Sequence, residues 1–280
     1  MDFKSEYKNK IELIDKHIEN YLDNLSGIDD TLKVALKYSV LNGGKRIRSI
    51  LLMECAKIFG VEYKNSINLA MAIEFIHAYS LVHDDLPAMD NSDFRRGQPS
   101  CHKKYGETMA ILTGDSLLNL AFEVICNECQ NGEKYVCAAQ KISNASGIFG
   151  MINGQVKDIK ISSKKDATES ELISLIEQKT MALIRAAAVS GAIIGSASEN
   201  EINLIDKYSY HLGLAFQIRD DIEDEMEDIA EQNDCPNFLN VLGKDTAIER
   251  LRYHKDKSNE YLMHFVHNEF LLSLNRYLFD

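Results

Sequence analysis

Apolar residues recur at every third or fourth position along almost the whole chain, a period that excludes most architectures other than helical ones. Residues 5–24 space Tyr7, Ile11, Ile14, Ile18 and Leu22 in this way. Alternating Val/Ile/Thr runs are few, and no Asn-Gly turn joins two of them. Only 3 prolines occur in 280 residues, so little interrupts a helix interior. Asp29 or Asp30 is placed to cap a helix ending at Asn42-Gly43-Gly44. Further helical runs cover 46–59, 65–86, 107–130, 133–160, 168–196, 199–230, 238–259 and 260–278. The period predicts an all-α fold, one domain over 1–280, with about ten helices around a central cavity. The runs 168–196 and 199–230 are long enough to line that cavity.

With 45% hydrophobic and 26% charged residues, the chain is not disordered. Its net charge of −12 argues against nucleic acid and anionic lipid as non-specific partners. The N-terminus is charged every few residues and has no apolar signal core. The longest charge-free stretches, 142–156 and 186–198, are shorter than the ~20 residues of a membrane span. A cytoplasmic location without stable membrane insertion is expected. Six cysteines, at 55, 101, 126, 129, 137 and 235, then read as free thiols. Cys126 and Cys129 form a C-x-x-C with Cys137 nearby. The helical flanks favour two buried cysteines one turn apart over a zinc site.

Two acidic clusters stand out. Asp84, Asp85 and Asp90 end one helical run. Asp84 and Asp90 are six positions apart, about 600° of helix, and would not converge on an ideal helix. Pro87 disrupts the helix between them and allows Asp90 to swing back. Carboxylates at a helix C-terminus oppose its dipole, which points to a divalent cation; Mg²⁺ takes carboxylate and phosphate oxygens. The second cluster, Phe216-Gln217-Ile218-Arg219-Asp220-Asp221-Ile222-Glu223-Asp224, sets Asp220 and Asp224 one turn apart on one face. Alone, each is also what a solvated helix end or an acidic surface helix shows. Two of one kind on facing helices are suited to several Mg²⁺ ions.

The cations are grouped too. Gly43-Gly44-Lys45-Arg46-Ile47-Arg48 places three of them at a helix start, and Arg95-Arg96-Gly97 follows the first acidic cluster. Cations are unfavourable at a helix N-terminus unless an anion joins them. Arginine pairs suit diphosphate through bidentate hydrogen bonds. Singly, a solvated basic turn and a satisfied core His77 are the plainer readings, and Lys179-Thr180 is equally a surface pair.

Together these residues resemble the trans-polyprenyl diphosphate synthases, the bacterial farnesyl diphosphate synthases in particular. The pieces are GGKRIR at 43, IHAYSLVHDDLPAMDN at 76, RRG at 95, HKKYGE at 102, GDSLLNLAFE at 114, QKT at 178 and FQIRDD at 216. The resemblance implies an all-α isoprenoid synthase bundle working as a homodimer. It implies condensation of isopentenyl diphosphate with dimethylallyl or geranyl diphosphate to farnesyl diphosphate, assisted by Mg²⁺, three ions with substrate bound. Carried over, Asp84, Asp85 and Asp90 form the first metal cluster, and Asp220, Asp221 and Asp224 the second. Gly44, Lys45, Arg48, His77 and Arg96 match the isopentenyl diphosphate contacts. Arg95, Lys179, Thr180 and Gln217 match the allylic diphosphate contacts, and Lys179 joins the aspartates as a catalytic residue.

Product length is expected to depend on Tyr79, five residues before Asp84, with Ser80 beside it; a ring there closes the floor under the growing tail. Alternatives are geranyl or geranylgeranyl diphosphate synthesis, or a weakly active or regulatory subunit. A terpene cyclase also has aspartate-rich metal sites but lacks the Gly-Gly-Lys-Arg element and the arginine pair. The chain departs from the family at 223–235, where the loop is short and acidic and Cys235 stands in place of a lysine. Losing one charge-assisted contact there costs roughly 1.5–3 kcal/mol. Nine acids and no base fall in 220–234, so most of the net charge belongs to this segment.

Overall fold

The computed structural model describes residues 2–162, 164, 167–223 and 236–280. Among these the chain is almost wholly helical, as the period requires. The helices are α1 (Phe3–Asp23), α2 (Asp30–Leu41), α3 (Ile47–Ile58), α4 (Ile67–Asp84), α5 (Cys101–Tyr105), α6 (Glu107–Glu128) and α7 (Glu133–Ser146). They continue as α8 (Met151–Ile161), α9 (Glu169–Ile176), α10 (Ala182–Ile194), α11 (Glu199–Glu223), α12 (Phe238–Leu242), α13 (Lys244–Leu262) and α14 (Glu269–Phe279). A π-helical segment, Glu177–Met181, links α9 to α10. Two strands, β1 (Phe94–Arg95) and β2 (Gln98–Pro99), pair antiparallel. The helices form two compact units. One comprises Met1–Met53 and Glu62–Val136; the other comprises Glu54–Val61 and Cys137–Asp280.

In the first unit, α4 is the core helix. It is apolar nearly all round, and Leu69, Ile73, Phe75 and Ile76 are fully buried, as expected of a helix covered on every side. α6 packs against it. By length and composition alone α6 could cross a bilayer. The stripe of α1 buries Tyr7, Ile14, Ile18 and Leu22. Ile11 is only half-buried, whereas Lys10 is buried and donates to the Tyr63 hydroxyl. Asp29 caps α2, accepting from the amides of Thr31 at 2.8 Å and Leu32 at 3.4 Å.

In the second unit, a core of Leu172, Leu175, Met181, Leu214, Ile218 and Phe238 joins α9, the π segment, α11 and α12. A capping box starts α9: Thr168 Oγ1 accepts from the Glu171 amide at 3.3 Å, and Glu171 accepts from the Thr168 amide at 3.1 Å.

Several expected boundaries differ. The run 133–160 breaks at Gly147–Gly150, where Ile148 and Phe149 stand exposed. Gly243, at φ +77°, separates α12 from α13. The expected start at 260 falls inside α13, and the chain turns before α14 with His267 at φ 66°. Cys126 and Cys137 are exposed and Cys129 is half-buried, so the pair expected to be buried is not.

α11 packs on α13 through a histidine pair. His211 Nδ1 and His254 Nδ1 lie 2.8 Å apart, so one ring donates and the other accepts. Tyr210, Tyr253 and Tyr261 surround the His211 ring. Burial, then His211 and Arg250, push His254 down to about 4. Burial and Lys257 lower His211, with Glu260 opposing. Both rings are neutral at pH 7, whereas in the unfolded chain they take up protons near pH ~6.5. The unfolded state therefore binds more protons between these values, and stability falls as pH drops from about 6.5 toward 4. Thermal melts followed by circular dichroism are expected to show Tm falling across this window. His254→Gln flattens that fall.

Candidate active site

The first unit holds the first acidic cluster at the end of α4. The amides of Asp85 and Leu86 close the last turn onto the carbonyls of Leu81 and His83 at 3.1 and 3.2 Å. Pro87 has no amide to continue the ladder. The loop instead folds back: the Asp90 amide donates to the Asp84 carbonyl at 2.9 Å, and the Asn91 amide to the Leu86 carbonyl at 3.1 Å. Asn91 takes a left-handed φ of 51°, a conformation asparagine tolerates. The three aspartates are not equivalent. Asp84 is half-exposed and Asp90 exposed, but Asp85 is 2% exposed. Arg95 Nη2 and Nε donate to Asp85 Oδ1 at 2.5 and 3.1 Å.

Arg95 is delivered by a two-residue hairpin. Arg96 and Gly97 both have positive φ, 53° and 73°, the signature of a tight primed turn. The hairpin is stitched to α2, where the Tyr38 hydroxyl donates to the Pro99 carbonyl at 2.7 Å. Arg96 Nη1 donates to the Gly43 carbonyl. Gly44 (φ +120°) makes room for it, since a Cβ there would stand 2.8 Å from Arg96 Cζ.

The three cations of the Gly-Gly-Lys-Arg element divide. Lys45 is exposed and Arg48 half-buried. Arg46 does not face an anion site. It is 4% exposed and bonds Asp15 at 2.7 Å, Glu74 at 3.2 Å and the Val40 carbonyl at 2.7 Å. Glu74 also accepts from the Ser49 amide at 3.2 Å, in the first turn of α3.

This corner is strongly positive. Burial and then Arg48, Arg96, Arg46 and Arg95 hold the His77 imidazole well below its usual pKa. Burial and Arg46 lower Arg96, against the pull of Glu74. For Arg95, burial is outweighed by Asp85, with Asp84 and Asp90, and the net shift is upward. Beside the acidic loop the cations are neutralised; around His77 and Arg96 they are in excess, which favours an anion.

Tyr79 is buried on α4, and burial and then Asp84 raise its pKa. Its ring meets His83 edge-on at 5.9 Å. His83 Nε2 lies 3.2 Å from the Ile111 carbonyl of α6. Gly114 admits the ring, since a Cβ there would lie 2.1 Å from Nε2. The Ser80 hydroxyl turns back to the His77 carbonyl at 3.0 Å.

The second unit holds the remaining candidates. Lys179 and Thr180 lie on the π segment, and the Lys179 ammonium donates to Asp158 of α8. On α11, Gln217 Nε2 donates to Asp221 Oδ1 at 2.9 Å, and the Phe238 amide to Asp221 Oδ2 at 2.8 Å. Asp221 thus anchors the start of α12, while Asp220 is half-buried one residue before. Asp224 and Cys235 lie outside the described residues. Asp15, Glu74 and Asp158, which orient the cations, carry no motif of their own. Near Asp158 the one local signal is Gly154, a residue that costs helix stability within a helical run.

Comparison with known proteins places the chain in a family. The polyprenyl synthetase family model matches residues 29–234. The farnesyl diphosphate synthase of Geobacillus stearothermophilus is 37% identical over 272 residues, covering 93% of this chain and 90% of that protein. Geranylgeranyl pyrophosphate synthase 4 of Arabidopsis thaliana is 36% identical over 267 residues, covering 93% of this chain and 70% of that protein. Among solved structures, the apo FPP/GFPP synthase of Zymomonas mobilis superposes with a TM-score of 0.89 at 30% identity, covering 99% of both chains. The geranyltransferase of Helicobacter pylori gives 0.89 at 30% identity over 100% of both.

Proposed function

Because the chain belongs to the polyprenyl synthetase family, a family of prenyltransferases, we propose that it condenses isopentenyl diphosphate with dimethylallyl and geranyl diphosphate to give farnesyl diphosphate. The observation that carries this reading is the first unit's juxtaposition of an acidic loop with an arginine-rich corner. The loop returns Asp90 to Asp84, so two accessible carboxylates sit at the negative end of α4. Hard oxygens so arranged fit Mg²⁺, with Asp84 and Asp90 as its ligands here; the resemblance to the family assigns Asp220, Asp221 and Asp224 to the second cluster. Mg²⁺, when bound, supplies positive charge to the departing diphosphate.

The remaining roles fall to this chain's own groups. Arg95, held by Asp85, and Lys179 bind the allylic diphosphate, so Asp85 serves as the carboxylate that aims Arg95. Lys45, Arg48 and Arg96 bind isopentenyl diphosphate, with Gly44 giving Arg96 its place. Neutral His77 donates a hydrogen bond there without adding charge. Thr180 and Gln217 line the allylic side, where Gln217 also orients Asp221. These groups stabilise charge on the leaving diphosphate, an electrostatic task. No side chain need act as general base, since the released diphosphate can take the proton. On this reading the chain is one catalytic domain working in the cytoplasm as a homodimer with three Mg²⁺ ions. The exposed Phe149, Ile152 and Val156 offer an apolar surface to a second copy.

The relatives' names divide between farnesyl and geranylgeranyl products, and Tyr79 favours the shorter. Its ring, backed by His83 against α6, limits depth below Asp84. The test is product sizing by chromatography after incubation with Mg²⁺, isopentenyl diphosphate and dimethylallyl diphosphate. The wild type is expected to stop at fifteen carbons and Tyr79→Ala to run to twenty or beyond. An active Tyr79→Ala with an unchanged product would remove Tyr79 as the floor.

A further inference from the structure

Helix α8 holds the π segment by three contacts. Asn153 Nδ2 donates to Gln178 Oε1 at 2.8 Å. Lys179 donates to Asp158 Oδ2. Gly154 lets the two backbones touch: a Cβ there would lie 2.2 Å from the Lys179 nitrogen and 2.5 Å from its Cα. A π insertion is an uncommon departure from the α ladder, and it is frequent at functional sites. This one places Lys179 in its middle, and Asn153, Gly154 and Asp158 share one stretch of α8 against it.

We infer that Asp158 is the positioning residue for Lys179, with Gly154 seating the main chain beneath it and Asn153 holding the neighbouring Gln178 side chain. The inference rests on the reading of Lys179 as an allylic diphosphate contact. A lysine ammonium is a point charge on a flexible four-carbon stem, and a substrate that must immobilise it binds less well. Asp158 has already fixed the ammonium. The side chains of Lys179 and Asp158 are 30% and 28% exposed, so the pair is open to an incoming anion. The ammonium has three donors, and those not given to Asp158 remain for diphosphate oxygens. Asp158 thus sets direction without touching substrate.

The test is a double-mutant cycle read as Michaelis constants for each substrate, with melting curves to confirm folding. Asp158→Ala is expected to raise the allylic KM about tenfold and leave the isopentenyl diphosphate KM within twofold. Asp158→Asn, which keeps an acceptor oxygen and the side-chain volume, is expected to recover part of the loss. On a Lys179→Ala background, Asp158→Ala is expected to add nothing. An unchanged or lowered allylic KM in both Asp158 variants, with Lys179→Ala still raising it, would overturn the positioning role alone. An unchanged KM in Lys179→Ala would overturn the role of Lys179 and this inference with it. Equal increases for both substrates would mark Asp158 as merely structural and also overturn the inference.

Discussion

Asp84→Ala is expected to lower kcat/KM for the allylic substrate by at least ~10²–10³, the range for losing one preorganised electrostatic contact. Melting temperature is expected to change little. Asp84 is half-exposed at the end of α4, where a carboxylate opposes the helix dipole. On the proposed function, its value lies in the cation it would hold. Asp85→Ala should behave differently. Asp85 is buried and holds Arg95 through 2.5 and 3.1 Å bonds, so its loss leaves a guanidinium unmatched as well as misdirected. Activity and melting temperature should fall together. Steady-state rates beside calorimetric melts separate the two. Equal stability loss in both variants would show that the aspartates share one structural job.

Arg46→Met is expected to destabilise the protein by about 3–5 kcal/mol, the cost of removing one partner from a buried charge pair. Glu74 is 2% exposed and would lose its cation, and Asp15 would lose a 2.7 Å bond. The Val40 carbonyl would lose its donor too. At roughly 2–4 °C per kcal/mol for a chain of this size, Tm should fall by about 10 °C. Lys45→Met, one residue earlier, should instead raise the isopentenyl diphosphate KM and leave Tm within about a degree. Neighbours in one short motif would then have separate jobs, one in folding and one in binding. A raised KM without destabilisation in Arg46→Met would contradict the structure.

The contrast between Arg46 and Lys45 marks the limit of what the sequence discloses. Period and capping were enough for the all-α class and for helices such as α1, α2 and α4, because each helix records its own buried face. The acidic loop was equally legible, since Pro87 is a local signal with a local effect. Which cation of the Gly-Gly-Lys-Arg element turns inward is not local. It depends on Asp15 and Glu74, on α1 and α4, 31 and 28 residues away. Arg95-Arg96-Gly97 reads as a turn, but not as a hairpin, because arginine is unusual in a left-handed conformation and the strands have two residues each. The break between α7 and α8 was missed because Ile148 and Phe149 keep it apolar. Nothing in Gln178-Lys179-Thr180 announces a π turn, and the Gly154 backbone packed closely against it is not local in sequence.

The most direct test is release of inorganic diphosphate, measured with Mg²⁺ and each substrate alone and then together. Condensation consumes both substrates, whereas a cyclase ionises an allylic diphosphate by itself. The expected result is rapid release only when isopentenyl diphosphate and dimethylallyl or geranyl diphosphate are both present, abolished by EDTA. Release from an allylic diphosphate alone at the same rate, or none with any pair, would contradict the assignment.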